Sequence, residues 1–319
     1  MNRGALATAA GYLASRLGQA LIALWGVTTA VFFALRLSGD PAQLLAPQDA
    51  TQADIAQLRK QLGLDVSVWQ QYLNFLEGLL HGDLGYSYVR HEPALDLITQ
   101  RLPYTIDLAL AALFLSVLFG VGAGMIMALN RGRWPERTLM PVVLVGQAMP
   151  AFWTGILLVL IFSVTFRILP STGYGGITSL ILPAVTLAAL SAATIARITR
   201  GAVLEELGRD YVRTARAKGA GTARLVVRHI ARNVSVPILT VLALEVANLL
   251  GGSVVTELIY AWPGLGQLTV QSVDGRDFPV VQAIVLLAAL VYIVVNLVTD
   301  LLYAFLDPRI SATGKAAGT

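Results

Sequence analysis

Residues 197–237 read RITRGAVLEELGRDYVRTARAKGAGTARLVVRHIARNVSVP. The stretch carries nine of the 23 lysines and arginines: Arg197, Arg200, Arg209, Arg213, Arg216, Lys218, Arg224, Arg228 and Arg232. Almost wholly apolar runs flank it on both sides, and a segment this charged cannot itself lie in lipid. Its Ala, Leu, Arg and Glu content favours helix, while Gly219 and Gly221 interrupt the pattern at its centre. The expectation is two short helices meeting at a glycine turn, on the cytoplasmic side of a membrane. Charge alone would orient the chain. A helix, a turn and a second helix joined directly to two spans suit the passing of motion between a cytoplasmic partner and the spans.

Outward from this loop, the composition is that of a polytopic membrane protein. The chain has 319 residues, is 56% hydrophobic and 13% charged, and has a mean hydropathy of +0.68. It contains no cysteine, which excludes disulfides, thiolate metal sites and a cysteine nucleophile. The histidines, His81, His91 and His229, are scattered. In so apolar a chain a net charge of +4 points to membrane orientation and anionic lipid rather than to nucleic acid.

Six spans are expected, near residues 17–35, 105–129, 138–166, 180–198, 237–256 and 280–303. The third contains Pro141 and Pro150 and is read as one kinked span. Pro183 falls near the first turn of the fourth, and Ala184, Ala188, Ala192 and Ala196 line one of its faces for tight packing. Gly120, Gly122 and Gly124 in the second span invite a dinucleotide reading, but no strand precedes them, so close helix packing is the better account. Residues 38–101 form a polar, acidic extramembrane segment with short helices, one starting after a Ser67 cap and stopping at HGDLG, 81–85. Residues 256–278 are too polar to span and should hold one short interfacial helix. With both termini inside, sixteen of the 23 basic residues face the cytoplasm, and the short outer loops hold only Arg167 and Arg276. A re-entrant third segment would put the nine-charge loop outside.

Several chemistries lack their signatures. None of the three lysines sits in a phosphate-binding glycine loop, and neither H-E-x-x-H nor G-x-S-x-G occurs. No catalytic or metal-ligating residue is assigned, and the chain is read as a non-enzyme. Asp107 and Asp300 lie near span ends, but Glu245 falls mid-span, where insertion of a carboxylate costs about 3 kcal/mol. It is read either as a wall of a solute pathway together with Asn248, or as a structural hydrogen bond to Asn248 or a neighbouring span.

The stretch EELGRDYVRTARAKGAGTARLVVRHIARNVSVP resembles the cytoplasmic coupling loop of permease subunits of bacterial binding-protein-dependent ABC importers, in the dipeptide, oligopeptide, glutathione and nickel branch. The likeness continues through SGDP (38–41), QLGLD (61–65), QYLNFLEGLLHGDLGYSY (71–88), RLPYTIDL (101–108), TELIYAWPGLGQL (256–268), GRDFPVVQA (275–283) and NLVTDLLYAFLDPRI (296–310). The family's Glu-Ala-Ala, three residues, Gly motif falls on Arg213, Thr214, Ala215 and Gly219. The glutamate is absent, and arginine in its place is a feature of the peptide branch.

The resemblance implies an all-α membrane protein. Residues 1–101 would hold the first span and an extracytoplasmic segment, residues 102–310 a five-span core and residues 311–319 a cytoplasmic tail. It implies a bacterial inner-membrane importer assembled from this chain, a second permease, two ATPase subunits and an extracytoplasmic solute-binding protein. ATP and magnesium would be used by the partners, with no cofactor bound by this chain. Asp210, Tyr211, Arg213, Thr214, Ala215, Lys218, Gly219 and Arg224 would meet an ATPase. The solute would be peptide-like, with a nickel chelate as the alternative within the family. An ion-driven secondary transporter is the rival of a different class, and a membrane sensor or scaffold without solute flux is a third reading.

Overall fold

The computed structural model describes residues 3–226 and 230–306, with side chains placed except at 3–14, 17, 223, 247, 250, 252 and 299–306. Arg228, His229, the Asp300 side chain and everything expected of 307–319 lie outside the described residues. The chain is 79% helix, and its one strand-like feature among the described residues is an isolated bridge between Tyr86 and Pro93. Four helices are long and apolar enough to cross a membrane, over Gly18–Leu37, Ala94–Leu129, Ile177–Leu207 and Phe278–Val298. A bent pair makes five if it counts as one span.

The chain divides into two compact units, Met1–Pro103 with Gln267–Leu297, and Tyr104–Gly266 with Val298–Thr319. The boundary expected at residue 101 falls inside a continuous helix, α5, Ala94–Leu129.

In the first unit, α1 (Arg3–Leu37) is followed by α2 (Pro41–Leu45), α3 (Gln52–Gln61) and α4 (Val68–Leu80). Local chemistry starts each of the short helices. Asp40 accepts from the Ala42 amide at α2, Thr51 and Asp54 form a reciprocal capping box at α3, and Ser67 accepts from the Gln70 amide at α4. Tyr72 and Phe75, one turn apart on α4, pack against Phe32 of α1 at 5.3 and 5.6 Å between ring centres. The Tyr72 hydroxyl lies 2.7 Å from Thr29 Oγ1. Farther on, Ser87 and the Tyr88 amide both donate to buried Asp277, the amide at 3.0 Å. That ties the 85–92 turn to the junction between α12 (Leu265–Asp274) and α13 (Phe278–Leu306).

In the second unit α8 (Ile177–Leu207) is the axis, packed by α6 (Trp134–Ala148), α7 (Ala151–Leu158) and α11 (Ala231–Ile259). Small residues permit the close approach. Ala184, Ala188 and Ala196 are buried on α8, and Ala192 is half-buried. A Cβ on Gly120 would sit 2.8 Å from Ile195, and one on Gly124 would sit 2.5 Å from the Ala196 carbonyl oxygen. Gly122 has nothing within 4 Å, so two of the three glycines make the contact. At the other end of α11, Glu257 is fully buried and accepts from Thr105 Oγ1 at 2.9 Å. Its carboxylate leaves no room for a side chain at Gly264, and the Val254 backbone together with that carboxylate closes Gly266.

Two expectations are revised. The fourth span begins earlier than its proline: α8 starts at Ile177, so Pro183 lies two turns in, and the helix runs unbroken to Leu207 inside the basic stretch. Residues 138–166, read as one kinked span, break into two helices with a far sharper bend than a proline kink. Pro150 favours extended backbone at the residue before it, Met149 takes ψ 128°, and α6 meets the helix beyond at 112°. The helix beyond also widens, α7 passing into a π-helical stretch over Val159–Thr165.

Gly124→Leu must push the α5–α8 contact apart, and overpacking of this kind costs about 1–3 kcal/mol or more. It should lower the thermal midpoint of the purified protein, whereas Gly122→Leu should leave it nearly unchanged. Equal effects would show that the glycines do not act through this contact.

Candidate functional site

The basic stretch folds as a continuation of the spans. After α8 ends, Gly208 and an extended Arg209 turn the chain into α9 (Asp210–Ala217). The far end of α9 is a Schellman stop: the Gly219 amide donates to Arg216 O at 2.9 Å and the Ala220 amide to Ala215 O at 3.1 Å, with Gly219 at φ +81°. A residue with a Cβ pays about 1–2 kcal/mol in that conformation, which is why glycine stands there. Gly221 then leads into α10 (Thr222–Leu225).

One side of this structure is apolar and closed. Val212 is fully buried against Val203 of α8, Ala128 at the end of α5, Leu225, Ile230 and Val234, with Ala215 packed at the edge. Burial of one such valine stabilises by roughly 1.5–3 kcal/mol. The other side is polar and open. Asp210, Tyr211, Arg213, Thr214, Arg216, Lys218, Gly219 and Arg224 are all exposed, with the side chains of Asp210 and Arg213 at 96% and 75% of full accessibility. Seven of the eight residues expected at an ATPase contact therefore share an open surface. Ala215 faces inward, as a small spacer that lets α9 approach its support.

A polar latch joins three elements. The Tyr211 hydroxyl donates to Glu206 at the end of α8, and Asn233 at the start of α11 donates to Glu206 at 3.0 Å and to the Tyr211 oxygen at 3.3 Å. Burial first, then the bond to Glu206, pushes the Tyr211 phenol above its ordinary range. Arg209 pairs with Glu205 at 2.9 Å and with Glu206 at 3.6 Å. Arg209 and Glu205 are more than half exposed and the pairs contribute little. Beside the latch, Arg200 of α8 pairs with Glu136 of α6, which also accepts from the Gly132 amide at 2.6 Å. Sequence reading missed Asn233 and Glu136, whose partners lie 27 and 64 residues away with no local pattern to mark them, and Glu206, five residues before Tyr211 across the turn between α8 and α9.

Glu245 is buried on α11 and accepts from Ser191 Oγ of α8 at 2.5 Å. A hydrogen bond to a neighbouring span is thus present. Asn248, one turn along, is exposed. Among the described residues no three His, Asp or Glu side chains gather as a metal site.

Two family models match the chain: the inner membrane component of binding-protein-dependent transport systems over residues 120–312, and the N-terminal part of such membrane components over residues 10–109. The chain belongs to this family of transport components. It is a permease of a binding-protein-dependent ABC importer, a multi-pass membrane subunit rather than an enzyme. It is 42% identical over 300 residues to the glutathione transport system permease protein GsiC of Escherichia coli strain K12 and to that of Shigella dysenteriae, covering 94% of this chain and 98% of each relative. Its fold matches the MetNI methionine ABC transporter in an inward-facing conformation, at TM-score 0.58 and 19% identity over 67% of this chain and 97% of that one. An amino acid ABC transporter matches at TM-score 0.51 and 21% identity, over 67% and 94%.

Tyr211→Phe removes the hydroxyl that donates to Glu206 and accepts from Asn233, and leaves the permease helix packing intact. It should cost about 1 kcal/mol, seen as faster amide exchange over 206–212 with no change over α8's Ala184–Ala196. Unchanged exchange at the latch would show that Val212 alone holds α9.

Proposed function

We propose that this permease supplies half of the translocation pathway of a heteromeric importer for a small peptide-like solute, and that α9 and α10 are its contact with a cytoplasmic ATPase. The observation that carries the reading is the two-sided α9: Val212 is clamped to the spans while Asp210, Arg213 and Lys218 face outward on a helix continuous in packing with α8. A partner pulling on the open side would load the α5, α8 and α11 ends through the closed side. In this reading a second permease, two ATPases using ATP and magnesium, and an extracytoplasmic binding protein complete the assembly. Six spans count α11 and the bent pair as one each, with both termini and the basic loop cytoplasmic in the bacterial inner membrane. Residues 38–101 and 257–279 then face outside and receive the loaded binding protein.

The loop must bind the ATPase pair differently in its open and closed states, because equal contacts in both would shift nothing. Glu245, bonded to Ser191, and exposed Asn248 stand on α11 as pathway candidates. The identity to glutathione permeases supports a peptide-like solute over a nickel chelate. A structured basic loop anchored by an apolar cluster supports ATP coupling over an ion-driven carrier.

Gly219→Val forces a β-branched residue into φ +81° and distorts the stop between α9 and α10. Uptake by the full importer should fall at least about tenfold, while the second permease still copurifies. Normal uptake would mean that the loop is only a basic anchor. In a chain without native cysteine, Ala220→Cys should resist an impermeant thiol reagent applied to intact cells, and labelling from outside would overturn the topology.

A further inference from the structure

The second unit carries a groove of about 480 Å³ between α5, α6 and α8. Gly122 and Ile126 of α5, Val142 and Gly146 of α6, and Ala192 and Ala196 of α8 lie along it, and its whole lining is Gly, Ala, Val, Leu, Ile or Phe. It follows α5 from Leu118 to Ile126, about 12 Å at the helical rise per residue. Ile126 and Val142 remain exposed beside it, and a Cβ on Gly122 would meet nothing within 4 Å. No side chain here answers a peptide bond, so a peptide-like solute would leave its polar atoms unmet, whereas hydrocarbon loses nothing by entering.

One end of the groove is charged. One turn beyond Ala196, Arg200 pairs with Glu136, which lies three residues before Leu139 of the lining. Glu136 also accepts from the Gly132 amide, and that bond draws the turn between α5 and α6 over the same end. Arg131 and Arg133 flank this amide. Arg131 acts on Glu136 electrostatically, both arginines are exposed, and neither forms a salt bridge among the described residues. Because Arg200 and Glu136 cancel, the turn keeps two positive charges. Trp134, 75% exposed, follows them at the start of α6, as tryptophan does where a membrane meets water.

We propose that this groove is a site for an anionic phospholipid, with one acyl chain lying between α5, α6 and α8 and the phosphate meeting Arg131 and Arg133. A zwitterionic headgroup brings a cation to the same arginines, so charge selects against it. A span of the second permease would cover the hydrocarbon wall, but that contact alone leaves the two arginines unanswered, and a lipid answers both parts of the site. The leaflet is the cytoplasmic one if the topology proposed above holds, while the site itself does not depend on ATP coupling.

The test is photolabelling of the complete importer in phosphatidylcholine nanodiscs that contain phosphatidylglycerol with a diazirine in one acyl chain, the adducts being mapped by peptide mass spectrometry. Adducts are expected within 118–126, 139–146 and 189–196. Unlabelled phosphatidylglycerol should halve them at a mole fraction at least about tenfold below that needed of phosphatidylethanolamine. Arg131→Gln combined with Arg133→Gln, both at exposed positions, should abolish the preference. Gly122→Leu fills open space in the groove and should remove the groove adducts while labelling elsewhere persists. Equal displacement by the two lipids, or a preference that survives the loss of both arginines, would overturn the site. Absence of groove adducts would overturn it as well, and cross-linking of a Gly122→Cys variant to the second permease would then show that this partner covers the wall. Uptake is not the readout, so either failure leaves the importer reading standing.

Discussion

Val212 makes the basic loop part of the bundle. A helix as charged as α9 has no reason of its own to stay folded in water, since eight residues are too few for a stable isolated helix. What holds it is one fully buried valine, meeting Val203 from α8, Ala128 from α5 and Ile230 and Val234 leading into α11. This cluster takes side chains from α5, α8 and the start of α11 at once, so a load on α9 would reach all three helices. The Glu206, Tyr211 and Asn233 latch adds direction by fixing the angle at which α9 leaves α8.

The same logic of close support runs up α8. Its alanines and the glycines of α5 remove side-chain bulk so that backbones touch, and a buried carboxylate is tolerated where a neighbour answers it. Glu245 has Ser191 across the α8–α11 contact, and Glu257 has Thr105 across another. Leaving either carboxylate unanswered in an apolar interior would cost far more than the bond contributes.

Much of this was legible in the sequence wherever the signal was local. The Ser67 start of α4, the glycine turn between α9 and α10 and the tight face of α8 all follow from spacing, caps and residue size. The length of α8 was not legible, because the change from apolar to basic at Arg197 reads as the end of a span while helix propensity continues through Leu207. Prolines predicted a kink in the third span, but their spacing could not say that the helix would turn through 112°. Least legible were the pairs that join distant segments. Ser191 with Glu245, and Glu206 with Asn233, lie 54 and 27 residues apart and are chosen by the packed fold, and polar partners so separated leave no periodicity to read.

The central claim is that the open face of α9 meets the ATPase while its Val212 face stays closed on the spans. Site-directed cross-linking in the complete importer tests it most directly, with single cysteines placed by Asp210→Cys, Arg213→Cys and Val212→Cys in a chain that has none. The account predicts permease–ATPase adducts from the first two that change in yield when ATP is added, and none from the third. Adducts from Val212→Cys alone, or from none of the three in an importer that transports, would contradict it.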